Sequence, residues 1–284
     1  MNRNHNSDTA ASEYREYPPP LELAEHLLCL WTQTIHSYTS FPQLVLPDCC
    51  VDILVMNGVP MVVGPWTEPF VADLAPGTNI IGARCHPGLA STLLGVPASE
   101  LLNQSLPLRD LWSAARTALF TQTADEATGA AGMSSMQAAL LCCVANAGPI
   151  DKATRAAVRW IAEHPHAPVE QLSQRLGLSS RQIQRRFITA VGYGPKLFQS
   201  VLRFQRLLHL ADSTAVLGNL AHFAAAADYS DQAHMTREVH RFSGEAPTTL
   251  LQSSRCTLRL SGLIQDVRFV QDPPASIRLS SPSC

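Results

Sequence analysis

Between residues 169 and 187 apolar positions recur three and four apart, stop at a glycine, and start again. Val169, Leu172 and Leu176 fall on one face of a helix, with Glu170, Gln171, Gln174 and Arg175 on the other. Gly177 ends that helix, because glycine takes a left-handed cap without a Cβ penalty, and Leu178 can pack back beneath the turn. Ser179 caps a second helix, in which Ile183 and Phe187 lie one turn apart on the buried side. The opposite side is Arg and Gln. Arg181, Gln184 and Arg185 stand at i, i+3 and i+4, so they share a face, and their side chains suit guanine and adenine edges in a major groove. The pattern predicts a helix-turn-helix with its recognition helix second. An Arg and Gln face alone is ordinary solvated surface.

A second copy changes that balance. Leu220, Phe223 and Ala227 repeat the spacing of Val169, Leu172 and Leu176, and Ala224 matches Ser173 as the small residue where two helices cross. Asp231 stands where Ser179 stood, Val239 repeats Phe187, and Arg237 repeats Arg185. Each unit is followed by a glycine and, three residues on, a proline: Gly192 with Pro195, Gly244 with Pro247. This is an internal repeat of a whole supersecondary unit.

On these residues the segment 150–251 resembles the DNA-binding domain of the AraC/XylS family of bacterial transcription regulators. The resemblance implies two helix-turn-helix units joined by a long linker helix, here 195–211, with both recognition helices in successive major grooves of double-stranded DNA. It also implies DNA contacts at Arg181, Gln182, Gln184 and Arg185 in the first unit and at Gln232, Thr236 and Arg237 in the second. Arg203 and Arg206 on the linker helix, where the family often carries basic residues, are expected to hold phosphates. Asp228 departs from the glycine usual in the second turn, and Ala233 from the serine often found there. A carboxylate near DNA opposes binding, so the first unit is expected to dominate base reading and the second to bind mainly phosphates.

Upstream the period shortens. Leu23, Leu27, Leu28 and Trp31 predict a short amphipathic helix, alone or leading into a strand. Aliphatic and β-branched runs at 43–47, 50–56, 59–64, 70–74 and 79–85 predict strands, with Asn57-Gly58 as a hairpin turn. Short strands at this spacing imply a small β-barrel or sandwich. Residues 89–94 read as helical, and Ser99 as the cap of another short helix. Leu46-Pro47-Asp48, Val63-Gly64-Pro65, the stretch 82–88, Leu106-Pro107-Leu108 and Leu111-Trp112 resemble an uncharacterised N-terminal domain of one subgroup of AraC-type regulators. Domains in that position are commonly cupin-like barrels that bind an effector or dimerise.

The expected fold class is therefore α+β, a β-barrel or cupin-like domain followed by an all-α double helix-turn-helix domain. Residues 1–20 read as a disordered N-terminus, 21–120 as the β-rich sensing or dimerisation domain, and 150–252 as the DNA-binding domain. Between them, 121–149 comprises a small-residue linker to 135 and an apolar helix at 136–147, suited to a dimer interface or to docking the domains. The opening helix of the second domain is expected at 151–164, with Ala153, Ala156, Ala157, Trp160 and Ile161 inward. The tail 253–284 alternates as a hairpin at 256–260 and 267–270, is expected to be disordered from Pro273, and has no assigned role.

Composition adds location and limits chemistry. With 284 residues, 46% of them hydrophobic, two domains are favoured over one. The net charge is only −2, but residues 150–252 carry twelve Lys and Arg against eight Asp and Glu, a balance of +4, leaving −6 elsewhere. Positive charge thus lies where phosphate binding needs it. The polar start, MNRNHNSDTAASEYREYPPP, has no signal-peptide core and no run is long enough to span a membrane, so a cytoplasmic protein is expected. The eight cysteines, with the neighbours Cys49-Cys50 and Cys142-Cys143, form no zinc ladder.

His86, with Asp48 and Asp52, is too sparse for a metal site, and His86 and Arg84 read as turn residues with satisfied hydrogen bonds. Phe41, Trp66, Phe70 and Trp112 read as core rather than as a pocket. There is no phosphate-binding glycine loop and no nucleophile elbow, so neither an enzyme nor a cofactor is expected. Beyond DNA, the candidate partners are a small-molecule effector, a second copy of the chain and RNA polymerase, and not a membrane. The rival readings are a cupin-like enzyme and a helical protein-interaction adaptor, for which Asp228 is the best support.

Overall fold

The computed structural model describes residues 11–120, 129–165, 167–212 and 220–252. Its first half is antiparallel: β1 (Ser12–Tyr17), β2 (Leu27–Ile35), β7 (Asn79–Cys85), β4 (Asp52–Met56), β5 (Val59–Val63) and β8 (Ser105–Pro107) lie in that order in one sheet. Strands β3 (Phe41–Val45) and β6 (Phe70–Leu74) pair separately. Between the two sheets lie Trp31, Ile35, Leu54, Leu74 and Ile80. The other face of the large sheet offers Leu30, Ile53, Val55, Ile81 and Ala83 to helices α1 (Ala90–Leu94) and α3 (Gly129–Ala145). A single turn of helix, α2 (Ala114–Thr117), precedes α3.

The α+β organisation is as the sequence implies, but the strands do not close into a barrel. β1 and β8 remain the two edges of the sheet. Among the described residues the chain after β7 enters helix and 3-10 turns and returns only as the three-residue β8, and β3 and β6 pair only with each other, so neither edge is joined to the other. The hairpin between β4 and β5 turns at Asn57 and Gly58, both with positive φ (47° and 81°), as two-residue turns matched to strand twist require.

Four local expectations change. Ser12–Tyr17 is edge strand β1, not unstructured N-terminus: Ser12, Tyr14 and Glu16 alternate inward, and the Tyr14 ring lies 5.7 Å from that of Trp31. Its inward residues are polar or aromatic, which hides the period. Residues 21–26 make turns rather than a helix, and Leu27, Leu28, Leu30 and Trp31 belong to β2, paired on both edges and buried on both faces. Finally, α3 begins at Gly129, within the expected linker, and packs Met136, Ala139, Leu140 and Cys143 into the N-terminal core. The short helix Ala98–Leu101 is 3-10, starts after Pro97 and has no side-chain cap.

The second half is helical: α4 (Lys152–Glu163), α5 (Gln171–Leu176), α6 (Ser180–Val191), α7 (Pro195–Asp212), α8 (Leu220–Ala226), α9 (Gln232–Ser243) and α10 (Pro247–Gln252). The linker helix α7 is buried along most of its length through Phe198, Val201, Leu202, Phe204, Leu207 and Leu208, and both units pack on it. Phe187 of the first meets Phe198 edge-on at 5.6 Å, and Phe242 of the second lies 5.4 Å from Phe204. Leu28, Leu46, Cys49 and Cys50 of the N-terminal domain belong to this same core. The expected hairpin and disordered end of the tail lie outside the described residues.

Candidate nucleic-acid interface

The first turn is built by local chemistry. The N–H groups of Gly177 and Leu178 both return to the Ser173 carbonyl, and Gly177 holds φ at 63°. The Ser179 hydroxyl accepts from the Gln182 N–H while Gln182 Oε1 accepts from the Ser179 N–H at 2.9 Å, a reciprocal capping box. Gln182 is thus exposed, but its amide oxygen serves its own helix.

With the cap fixed, α6 buries Ile183, Phe187, Ala190 and Val191 and exposes Arg181, Gln184, Arg185 and Ile188 along one line. Among the described residues Arg181 and Arg185 have no ion-pair partner. Their guanidiniums, the Gln184 amide and the half-exposed Ile188 form a surface able to meet base edges and a thymine methyl. Arg186, off this line, donates to Asp151 at 2.7 Å. Asp151 also caps α4, accepting from the N–H groups of Ala153 and Thr154. Burial pushes its carboxyl up, but the bonds from Arg186 and Thr154 hold it below the usual range.

The second unit repeats the plan. Asp231 accepts from the His234 N–H at the start of α9, a bond that holds its carboxyl below the ordinary value, and Gly244 closes the helix at φ 73°. Gln232, Thr236 and Arg237 are exposed on α9.

The linker arginines are placed differently from the expectation. Arg203 pairs with Glu238 at 3.1 Å, both side chains 12% exposed, and Arg206 donates to Asp228 at 2.5 Å and to the Ala162 carbonyl at 2.6 Å. Instead of standing in solvent as phosphate cations, the two fasten α7 to α9, to the second turn and to the end of α4. Asp228 takes the left-handed φ of 69° that glycine would take, and its charge is turned inward on Arg206.

Sequence reasoning missed how the N-terminal domain sits against this surface. Gly192, at the end of α6, has φ 98°, and a Cβ there would stand 2.7 Å from Pro65 Cγ and 3.2 Å from the Ala98 carbonyl oxygen. The loop between β3 and β4 enters the helical core: Gln205 Nε2 donates to the Pro47 carbonyl at 2.5 Å in a buried bond, and Cys49 Sγ lies 4.0 Å from the Phe198 carbonyl. Arg155 pairs with Glu25 at the rim. The N-terminal domain therefore rests on the first unit and the linker helix, while α8, α9 and α10 make their principal contacts with α7 and one another.

That loop is anchored from behind. Arg84 is a core residue of β7, not a turn residue: it is 2% exposed and donates to both Asp52 oxygens at 3.1 and 3.0 Å, with Asp48 and Glu16 at 3.9 Å. A charge inside an apolar strand, Ile-Ile-Gly-Ala-Arg-Cys, was the available signal, matched by Asp52 in Val-Asp-Ile-Leu-Val. His86 is near the surface, with Nε2 3.2 Å from the Ala24 carbonyl.

Two family models match. Residues 172–253 match that of a helix-turn-helix domain and residues 15–107 that of a domain of unknown function (DUF6597). The C-terminal part of the chain is a DNA-binding helix-turn-helix domain of the AraC type, and the protein carrying it is a DNA-binding transcription regulator. No curated protein matches the chain. Among solved structures the chain is similar to ToxT from Vibrio cholerae, at 8% identity over 85% of this chain and 98% of that one, with a TM-score of 0.43. ToxT from strain O395 aligns at 7% identity over 85% and 97%, with a TM-score of 0.42. Unsaturated fatty acid-bound wild-type ToxT from strain SCE256 aligns at 8% identity over 88% and 97%, with a TM-score of 0.41. No helix among the described residues is long and apolar enough to cross a membrane.

Proposed function

We propose that the first unit reads the operator, through Arg181, Gln184 and Arg185, and that Gln232, Thr236 and Arg237 of the second unit add weaker contacts. The observation that carries this is the exposed Arg and Gln line on α6, a helix whose other face lies in the core and whose start is locked by a capping box. Arg203 and Arg206 act from inside, setting the second unit against the linker helix. The pairing of Asp228 with Arg206 removes the charge that most favoured an adaptor without DNA. Catalysis plays no part in this reading.

Control enters through the N-terminal domain, which touches α6 directly. A small-molecule effector bound there, or a second copy joined through it, would change how Pro65 and Ala98 press on the end of the recognition helix. RNA polymerase is the further partner of a regulator acting in the cytoplasm. The test is full-length protein against a random-sequence DNA pool and against DNA upstream of its own gene, across a salt series. Selection of one sequence, with affinity falling steeply with salt, is expected. Failure to bind the pool even at low salt overturns the reading.

A further inference from the structure

We propose that the N-terminal domain forms part of the DNA-binding surface, its helix α1 making one wall of a groove that seats the sugar-phosphate backbone beside the major groove read by α6. This rests on the reading of α6 as the DNA-reading helix.

The groove has a volume of about 460 Å³ and lies open to solvent. Ser91 and Thr92 of α1 line one side, Arg185, Arg186 and Thr189 of α6 the other, and Asp151 lies between. Arg185 belongs to both the groove and the reading line, one turn beyond Arg181, so a duplex engaged by that line passes directly beside the groove. Two guanidiniums against one carboxylate leave the groove net positive, and Asp151 is already matched by Arg186 at 2.7 Å. Arg116 adds a cation at the far end of α1, where it donates to the Leu93 and Leu94 carbonyls beside Gly95. The Ser91 and Thr92 hydroxyls and the Arg185 guanidinium are donors that phosphate oxygens take, and such contacts position a duplex without reading its sequence, while the Thr189 hydroxyl already donates to the Arg185 carbonyl.

The shape favours a polymer over a metabolite. Small-ligand sites enclose most of their ligand, whereas a groove open to solvent leaves room for a backbone lying along it. Its walls are set before DNA arrives: Ala90, Leu93 and Leu94 hold α1 in the N-terminal core, and Gly192 seats α6 on Pro65 and Ala98.

The test uses the full chain and its selected duplex, with Thr92→Arg and Thr92→Glu compared against Thr39→Arg and Thr39→Glu. Thr39 is exposed in the loop after β2, at the opposite end of the sheet from α1, and controls for net charge. Thr92→Arg is expected to tighten binding several-fold and to steepen the slope of log K against log salt by about 0.9, one added phosphate contact. Thr92→Glu is expected to weaken binding by about tenfold and to remove hydroxyl-radical protection from one backbone stretch flanking the α6 site, with the Thr39 pair changing neither. A wild type that binds DNA while all four variants keep its affinity, slope and footprint overturns the proposal and leaves the α6 reading standing. A wild type that binds no DNA overturns both. Should inorganic phosphate at fixed ionic strength displace DNA, more so with Thr92→Arg, and the footprint stay unchanged, the groove is a free-anion site and the proposal fails.

Discussion

Arg206 donates to the Asp228 carboxylate across 2.5 Å, tying the linker helix to a turn residue that holds a left-handed backbone without being glycine. The two side chains are 25% and 16% exposed, so most of the pair is out of water. Arg206→Ala takes the guanidinium away from this mostly buried carboxylate and is expected to cost about 1–3 kcal/mol in urea unfolding of the full chain. Adding Asp228→Gly should restore part of it, because glycine adopts this φ without strain and leaves no charge behind, while the bond from Arg206 to the Ala162 carbonyl stays lost. Additive losses in the double variant would falsify the pairing as a source of stability.

Arg181 stands on the reading line and outside the groove, which makes it the cleanest probe of base contact. Arg181→Ala is expected to weaken binding to the selected site by about 1–3 kcal/mol and to relax the preference at one base pair. Arg237→Ala in the second unit should cost less and leave the preference intact. Equal loss on selected and random DNA for Arg181→Ala points to a phosphate contact instead.

Gly192 and Gly244 end corresponding helices at φ 98° and 73°, but they differ in surroundings: Pro65 crowds the Cβ position of the first, whereas none of the described residues lies within 4 Å of that of the second. Alanine at either position incurs backbone strain of about 1–3 kcal/mol. Alanine at 192 is expected to cost measurably more in thermal and urea unfolding, the excess being the contact with the N-terminal domain. Equal losses would show that Pro65 yields freely.

Asp48 lies in the loop that enters the helical core, between Pro47 and Cys49, and burial pushes its carboxyl up to about 6, with Arg84 opposing the rise and Asp52 adding to it. A carboxyl raised in the folded protein favours the protonated form there. Its relative contribution is fully present below the unfolded value of 3.8 and is lost as pH rises through about 6. Asp48→Asn is therefore expected to flatten the fall in stability between about pH 4 and 6 and to raise the Tm at pH 7 relative to wild type. Identical pH profiles for the two proteins would remove Asp48 as the titrating group.

The candidate site was legible to different depths. The exposure of Arg181, Gln184, Arg185, Gln232, Thr236 and Arg237 follows from helical periodicity, because Ile183, Phe187, Met235 and Val239 assign the buried face by spacing alone. Gln182 shares that exposure, yet its amide oxygen is taken by the cap of its own helix, which only the structure showed. The inward turn of Arg203 and Arg206 was not legible, because α7 is surrounded by packing partners and their acids, Glu238 and Asp228, lie far along the chain. Strand β1 was missed for a related reason: its alternation is carried by Ser12, Tyr14 and Glu16, whose inward faces gain meaning only beside Trp31 and Arg84.

What the sequence determined by itself is what short-range chemistry encodes: the two turns, the caps at Ser179 and Asp231, the left-handed end at Gly177, the glycines that follow each unit at Gly192 and Gly244, and the Asn57-Gly58 hairpin. Those features depend on φ preferences and on donors within a few residues of their acceptors. Only the tertiary structure decided that the sheet stays open, that Arg84 is buried on Asp52, and that Pro65 and Ala98 press on the end of the recognition helix. Each of those depends on which distant surface covers a given face, and an apolar or charged residue carries no record of the partner that will remove it from water.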